Sequence, residues 1–368
     1  MPDMIPVYQP WITDAEKRNV LECLESSWIS SKGRFISEFE TRFSATIGVR
    51  HAAAVSNGTV AMHLTMLALD IGPGDEVIVP TFTYIASVNP VLYVGATPVF
   101  VDSEPAAWQI DPDRVEAAIT PRTRAIVVAH LYGHPADMHR LQAIARRHGV
   151  HLIEDCAEAL GARIGGVHAG SWADISAFSF FGNKTITTGE GGMVATNDPA
   201  LDDRIRRLKG QGLAANRTYW HDLVGYNFRM TNICAAIGCA QLERFDRILA
   251  EKRRVAGGYR RAFAGGPVRF HDSISEQMKH GFWMCSILVP RADQRDPLMA
   301  ALAAQGIETR PGFYPVHTMP MYTRFSGRFP VAEDLAARAV NLPSWPMLTD
   351  GQVAAVAGRV LEGIGTVS

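Results

Sequence analysis

Phe178 to Gly192, FSFFGNKTITTGEGG, joins two apolar runs through a turn that carries one cation. The run from Ile175 to Phe181 has the length and aromatic content of a buried strand, and it stops at the turn residues Gly182 and Asn183. Lys184 follows at once. After three threonines, a glutamate and three glycines, the apolar run Met193 to Thr196 reads as the returning strand of a hairpin-like unit. Lys184 is therefore expected between two buried strands. An amine taken out of water loses some of its preference for the charged form and becomes a nucleophile toward carbonyl carbon, the chemistry of a Schiff-base lysine. The alternative is a lysine at a loop tip with its head in water.

Working outward, Val150 to Ile153 reads as a short strand that runs into Glu154 and Asp155, followed by Cys156, Ala157 and Glu158. Ligands of an open α/β sheet gather beyond the carboxyl ends of the strands, so an acid placed there faces a binding crevice. A carboxylate at that point can pair with the protonated ring nitrogen of pyridoxal phosphate while a later lysine carries the cofactor. Further upstream, Ser56, Asn57, Gly58 and Thr59 close the apolar segment Ala52 to Val55 and open an amphipathic stretch, Val60 to Leu69. Strand, small polar turn and helix place free N–H groups and the positive end of a helix dipole where a phosphate can sit. The same residues also serve as ordinary helix caps, which is the alternative reading of the turn.

Phosphate turn, ring acid and lysine, in that order, are the pattern of a fold-type I pyridoxal phosphate enzyme. The segments IPVYQP, WISSKG, SNGTVAMHL, GDEVIVPTFTYIAS, HLYGHPADM, IEDCAEA, FSFFGNKTITTGEGGMV, GYNFRMTNICAAIG and RPGFYPVHTMPMY resemble the DegT/DnrJ/EryC1/StrS sugar aminotransferases over essentially the whole chain. The resemblance implies an α/β fold of the aspartate aminotransferase type, with a mostly parallel sheet in a large domain, residues 1–245, and a smaller α+β C-terminal domain, residues 246–368. It implies Lys184 as the catalytic residue, with the cofactor as pyridoxal 5'-phosphate and, between half-reactions, pyridoxamine phosphate. Cofactor contacts carried over onto this chain are Gly58, Thr59, Tyr84, Asp155, Glu158, Ser179 and Asn227, the last reaching a partner's cofactor phosphate across a homodimer with shared active sites. Tyr84 and Ser179 also read as core residues. Ser30, in WISSKG, together with Arg229 and His317 are candidates for the substrate, and His317 reads equally as a structural histidine in a Pro-rich loop.

Within the family the segments look closest to enzymes that make GDP-perosamine, which implies L-glutamate as donor and GDP-4-keto-6-deoxy-D-mannose as acceptor, for O-antigen polysaccharide. A UDP- or dTDP-linked 4-keto sugar is the alternative acceptor. Related 3-dehydratases carry histidine where Lys184 stands, so lysine favours transamination. A non-catalytic regulatory protein that keeps the fold is a further alternative, opposed by the intact Lys184, Asp155 and phosphate turn. Where the family has RPVFYP this chain has Arg310 to Pro315 as RPGFYP, so Gly312 is expected to remove a side chain near the sugar pocket.

Composition agrees with a soluble enzyme. The chain has 368 residues, 47% hydrophobic and 20% charged, enough for two cores. With 36 basic and 37 acidic residues the net charge is -1, which gives no basic surface for nucleic acid or membrane. The cysteines at 23, 156, 234, 239 and 285 lack CxxC spacing, pointing to a reducing cytoplasm with no metal site and no disulfide framework. MPDMIPVYQP has no basic or apolar signal-peptide region, and no run approaches a membrane span. Strand and helix patterns alternate from Thr97 to Ile153, the rhythm of a parallel sheet covered on both faces. Thr13 is expected to cap a first helix, Asp14 to Leu24. A single long helix is expected from Asn232 to Ala264, with Arg244 to Arg254 on its solvated face. Beyond it strands are expected at Trp283 to Val289 and Ile307 to Arg310, and helices at Pro297 to Gln305, Ala332 to Val340 and Gly351 to Ile364.

Overall fold

A computed structural model describes residues 4–214, 216–271, 275–325 and 327–366. Met1 to Asp3, the start of the segment expected not to be a signal peptide, lie outside the described residues. Seven strands form the main sheet: β1 His51–Val55, β2 Glu76–Pro80, β3 Thr97–Val101, β4 Thr123–Ala129, β5 His151–Asp155, β6 Ile175–Ser179 and β7 Gly192–Thr196. Their spatial order is β1-β7-β6-β5-β4-β2-β3. Strand β7 runs antiparallel to both neighbours, β1 and β6, and the remaining pairs are parallel. The stretch around Lys184 is thus the connection between β6 and β7, with Phe178 opposite Met193 and Ser179 opposite Gly192.

Both faces of this sheet are covered, which is why its strands are apolar without alternation. On one face Ile175 and Ala177 of β6 pack with Ala61, Leu64 and Met66 of the helix Gly58–Ala68. On the other, Phe178 meets Phe43 at 4.9 Å between ring centroids in an edge-on contact, and Phe39 and Phe180 extend that layer. Helix starts follow their caps. Thr13 and Glu16 form a capping box on Asp14–Glu25, and the Asn57 side chain accepts from Val60 N–H at 2.9 Å at the head of Gly58–Ala68. Among the described residues no helix is long and apolar enough to cross a membrane.

A second, antiparallel sheet contains Arg269–Phe270, Cys285–Leu288, Ala339–Leu342 and Arg310–Pro311, in that spatial order. Helices Phe245–Phe263, Arg295–Ala304 and Asp350–Thr366 cover it, with Val255, Tyr259, Ile287, Val340, Leu342 and Val356 in its core.

Three expectations need correction here. The single helix from 232 to 264 is two, Asn232–Glu243 and Phe245–Phe263, because Arg244 leaves helical geometry at φ -110 and ψ 11. The charged stretch Arg244 to Arg254 is not all solvated: Lys252 is 1% exposed, and Arg244 turns inward to the buried Glu16. Ala339 and Val340 belong to a strand, since the helix Pro330–Arg338 ends one residue earlier. The helix Phe245–Phe263 buries Phe245, Ile248 and Leu249 in the core of the large sheet and Val255, Tyr259 and Phe263 in that of the small one. We propose the division of the chain at 245/246, where this helix begins; its first turns still pack on the first core, and Ile5 and Tyr8 pack on the second.

Candidate active site

The carboxyl ends of β1, β6, β5, β4 and β2 share one edge of the large sheet, and the candidate residues gather there. Asp155 is the last residue of β5, 7% exposed, with one carboxylate oxygen accepting from Ser87 Oγ at 2.7 Å and the other from Ala157 N–H at 3.0 Å. Ser87 closes the short turn that begins after Tyr84, and Thr83 Oγ1 lies 3.0 Å from its hydroxyl. Beneath, Glu154 accepts from the amides of Gly170, Trp172 and Ala173 at 2.7 to 2.9 Å and pairs with His130. His130 Nδ1 already accepts from Ala136 N–H at 3.0 Å, so its Nε2 carries the proton and donates to Glu154. Of the group His130, Glu154 and Cys156, close enough together to hold an ion, His130 and Glu154 are thus engaged within the chain and brace the end of β5.

Lys184 lies between Glu158 and an aromatic wall. Its Nζ is 3.6 Å from Glu158 and 3.8 Å from the centroid of the Trp283 ring. The backbone fixes its position, with Lys184 N–H donating to Phe181 C=O at 2.9 Å and Tyr8 hydroxyl donating to Lys184 C=O at 2.5 Å. Burial pulls Lys184 below the ordinary lysine range, opposed by the Glu158 and Asp155 carboxylates. Burial also pushes Glu158 up to about 7, against the pull of Lys184 and of its bond from Tyr132 N–H at 2.8 Å. Both shifts run toward the neutral forms because desolvation outweighs the attraction within the pair.

The turn Ser56–Thr59 meets the end of β6. A Cβ added to Gly58 would stand 2.7 Å from Ser179 Cβ and 3.0 Å from its hydroxyl, so only glycine lets the head of the helix Gly58–Ala68 approach Ser179 this closely. Arg229 pairs with Val55 at the end of β1, and Ser56 N–H donates to Phe228 C=O at 2.9 Å. Among the described residues Arg229 Nε, Asn183 Oδ1 and Thr185 Oγ1 are buried without a hydrogen-bond partner. A glycine cradle at a helix N-terminus, a buried carboxylate, a desolvated amine and unpartnered polar atoms around them fit pyridoxal phosphate: Gly58, Thr59 and Ser179 could hold its phosphate, Asp155 its ring nitrogen and Lys184 its aldehyde carbon.

The other candidates stand further from this centre in kind. Tyr84 is half exposed, its ring 5.4 Å from that of Phe313. Asn227 is exposed, bridged to Gly210. Ser30 is exposed too, and its C=O receives Asn232 N–H at 2.6 Å. His317 is buried, with Nδ1 2.7 Å from Thr81 Oγ1 and Nε2 3.4 Å from Glu333. Both its ring nitrogens are engaged within the chain. At Gly312 an added side chain would meet Ala339 Cβ at 2.6 Å and Tyr132 hydroxyl at 3.5 Å. The glycine therefore makes room for the second sheet.

A family model described as the DegT/DnrJ/EryC1/StrS aminotransferase family matches residues 10–361. The chain belongs to that family. A GDP-perosamine synthase of Escherichia coli O157:H7 is 54% identical over 358 residues, 97% of this chain and 98% of that protein. One of Vibrio cholerae is 49% identical over 95% of this chain and 96% of its own length. Among solved structures, a protein of Streptococcus pneumoniae described as a sugar aminotransferase, in its PLP form, superposes with a TM-score of 0.95 at 28% identity, covering 99% of this chain and 100% of that one. The architecture is accordingly that of the fold-type I transferases, and this member is an aminotransferase.

Residues that no sequence motif marked also shape the site. Ser87 sits three positions after Tyr84, in TFTYIAS, where the tyrosine is the residue with a recognisable role. Trp283, Tyr132, Tyr8 and Lys252 come from distant parts of the chain. For these no local signal exists, because each acts through a contact made only in the folded protein.

Proposed function

We propose that this chain is a pyridoxal phosphate-dependent aminotransferase that moves the amino group of L-glutamate to C4 of GDP-4-keto-6-deoxy-D-mannose, giving GDP-perosamine and 2-oxoglutarate. The reading rests above all on Lys184 standing desolvated between Glu158 and Trp283 at the edge where Asp155 and the Gly58–Ser179 cradle meet. The choice of acceptor is supported by the identity to relatives named GDP-perosamine synthase over nearly the full chain.

Bound pyridoxal phosphate supplies an electron sink that acidifies the carbon bearing the amine. The chain's residues do the rest. Asp155, oriented by Ser87 Oγ and Ala157 N–H, would pair with the ring nitrogen. The first amides of the helix Gly58–Ala68, with Thr59 and Ser179 hydroxyls, take the phosphate. Lys184 Nζ, which burial makes readier to give up its proton, would take the proton from the donor's α-carbon, and the same Nζ would deliver a proton to C4 of the sugar. Glu158 stays within reach of Nζ to share its charge during these moves. Arg229 offers a guanidinium to the donor carboxylate or the acceptor diphosphate. Asn227, exposed in one chain, serves the phosphate of a second in a homodimer with shared sites, working in the cytoplasm.

The test is product mass after incubation with pyridoxal phosphate, L-glutamate and GDP-4-keto-6-deoxymannose, beside the matching UDP and dTDP sugars. Replacement of the ketone oxygen by an amine on the GDP sugar, with 2-oxoglutarate formed in step, supports the reading. Amination of a UDP or dTDP sugar alone would keep the chemistry and overturn the acceptor.

A further inference from the structure

Trp283 precedes the strand Cys285–Leu288 of the second sheet, yet its ring lies under the Lys184 amine. The indole is held on several sides. Its Nε1–H donates to Asn183 C=O at 2.8 Å, next to Lys184 in the chain. Its ring is within 10° of parallel to Tyr132 and 20° to Phe313. Its backbone C=O accepts from Lys252 Nζ at 3.2 Å. Phe282, immediately before it, has φ 51, a left-handed conformation that a bulky residue keeps only where its surroundings enforce it.

Phe282 is held there by His280, whose Nδ1 accepts from Phe282 N–H at 2.7 Å, while Lys252 holds the backbone of Trp283 itself. Lys252 is buried in the helix that crosses between the two cores, and its other bond is to Ser344 C=O at 2.9 Å. Its ammonium also stands 5.1 Å from the Tyr8 ring, and the Tyr8 hydroxyl is bonded to Lys184 C=O. Lys252 thus supports two residues that touch Lys184 from different sides, Trp283 at the side chain and Tyr8 at the main chain.

We propose that Trp283 is a positioning residue: its indole face, braced by Lys252, holds the amine of Lys184 beside Glu158 and sets how readily that amine gives up its proton. The inference rests on the reading of Lys184 as the reactive amine. An indole face attracts an ammonium and not a neutral amine, so it favours the protonated form. The ionisable groups facing Lys184 are Glu158, Asp155 at the end of β5, and Tyr8, with Lys252 behind the indole. Removing the ring leaves burial with only the two carboxylates to oppose it, and Lys184 then loses its proton at lower pH. A purely structural tryptophan would leave that titration where it is.

The experiment is competitive acetylation of the full-length, cofactor-free protein with acetic anhydride across a pH series, with the Lys184 peptide read by mass spectrometry. Wild type is compared with Trp283→Leu, Trp283→Phe and Lys252→Met, each checked for folding by thermal melting. In Trp283→Leu the midpoint for Lys184 is expected to fall by about one pH unit, and in Trp283→Phe by about half that, the scale of a desolvated cation–π contact. Lys252→Met, which keeps the ring but loosens it, is expected to move the midpoint the same way by less than the Leu variant. Should the Leu variant not fold, Trp283→Phe decides. A midpoint unchanged or raised in the folded Trp283 variants overturns the proposal. Borohydride reduction of the wild-type holoenzyme separates the two claims: cofactor fixed on another lysine defeats the reading of Lys184, whatever Trp283 does.

Discussion

Gly58→Ala is the smallest change that tests the phosphate cradle. The added methyl would stand 2.7 Å from Ser179 Cβ, 3.0 Å from its Oγ and 3.4 Å from its Cα. Ser179 cannot retreat, because its pairing with Gly192 fixes it at the end of β6. The start of the helix Gly58–Ala68 must therefore move away from the strand. Alanine for glycine in a helix is worth at most about 1 kcal/mol, and less at its first residue. Overpacking at a rigid contact costs about 1 to 3 kcal/mol, so the clash wins. The displaced amides are those expected to hold the cofactor phosphate, and at about 1.4 kcal/mol per tenfold the affinity for pyridoxal phosphate should drop about 10- to 100-fold. Absorbance titration of the cofactor-free protein reads the affinity, and its melting temperature reads the cost to the fold. Wild-type affinity together with unchanged melting would refute the placement of Gly58 in the cradle.

Glu158→Gln should flatten one part of the stability profile of the cofactor-free protein. A carboxyl raised from its ordinary 4.5 to about 7 binds a proton on folding, so its contribution is full below pH 4.5 and is lost as the pH rises through 7. The difference between wild type and variant should change by up to about 3 kcal/mol across that window, while the buried histidines cancel in the comparison. A difference in denaturation midpoints that is constant with pH would contradict it. Asp155→Ala removes the partner of Ser87 and of the ring nitrogen, and turnover should fall by at least about a hundredfold with cofactor held loosely; wild-type kinetics would speak against the pairing. Gly312→Ala should lower the melting temperature by an amount equivalent to about 1 to 3 kcal/mol through its contact with Ala339 and leave acceptor preference unchanged. A changed preference in that variant would place Gly312 at the sugar pocket.

The parts of this molecule that were legible in its sequence are those whose cause is local. The β6–β7 connection showed itself because two apolar runs bracket Gly182, Asn183 and Lys184, and the helix after β1 because Asn57 caps it. Asp155 stood out at the end of a strand. The second sheet was less legible: Ala339 to Leu342 follows a helix with no glycine or proline between them, and only pairing with Cys285–Leu288 makes it a strand. Arg244 interrupts a pattern that reads as one helix, since its side chain leaves for Glu16. Lys252 was read as solvated from its charged neighbours, yet two carbonyls some distance along the chain receive it. Trp283 carries no motif of its own, and its place under Lys184 follows from how the two sheets meet.

The central claim is that Lys184 is the amine that carries pyridoxal phosphate. It is tested most directly by reducing the cofactor-loaded protein with borohydride, digesting it and locating the modified lysine by mass spectrometry. The account predicts the reduced cofactor on Lys184 and its absence from Lys184→Ala. Cofactor fixed instead on Lys252 or Lys209, the other lysines with little exposure, would contradict it.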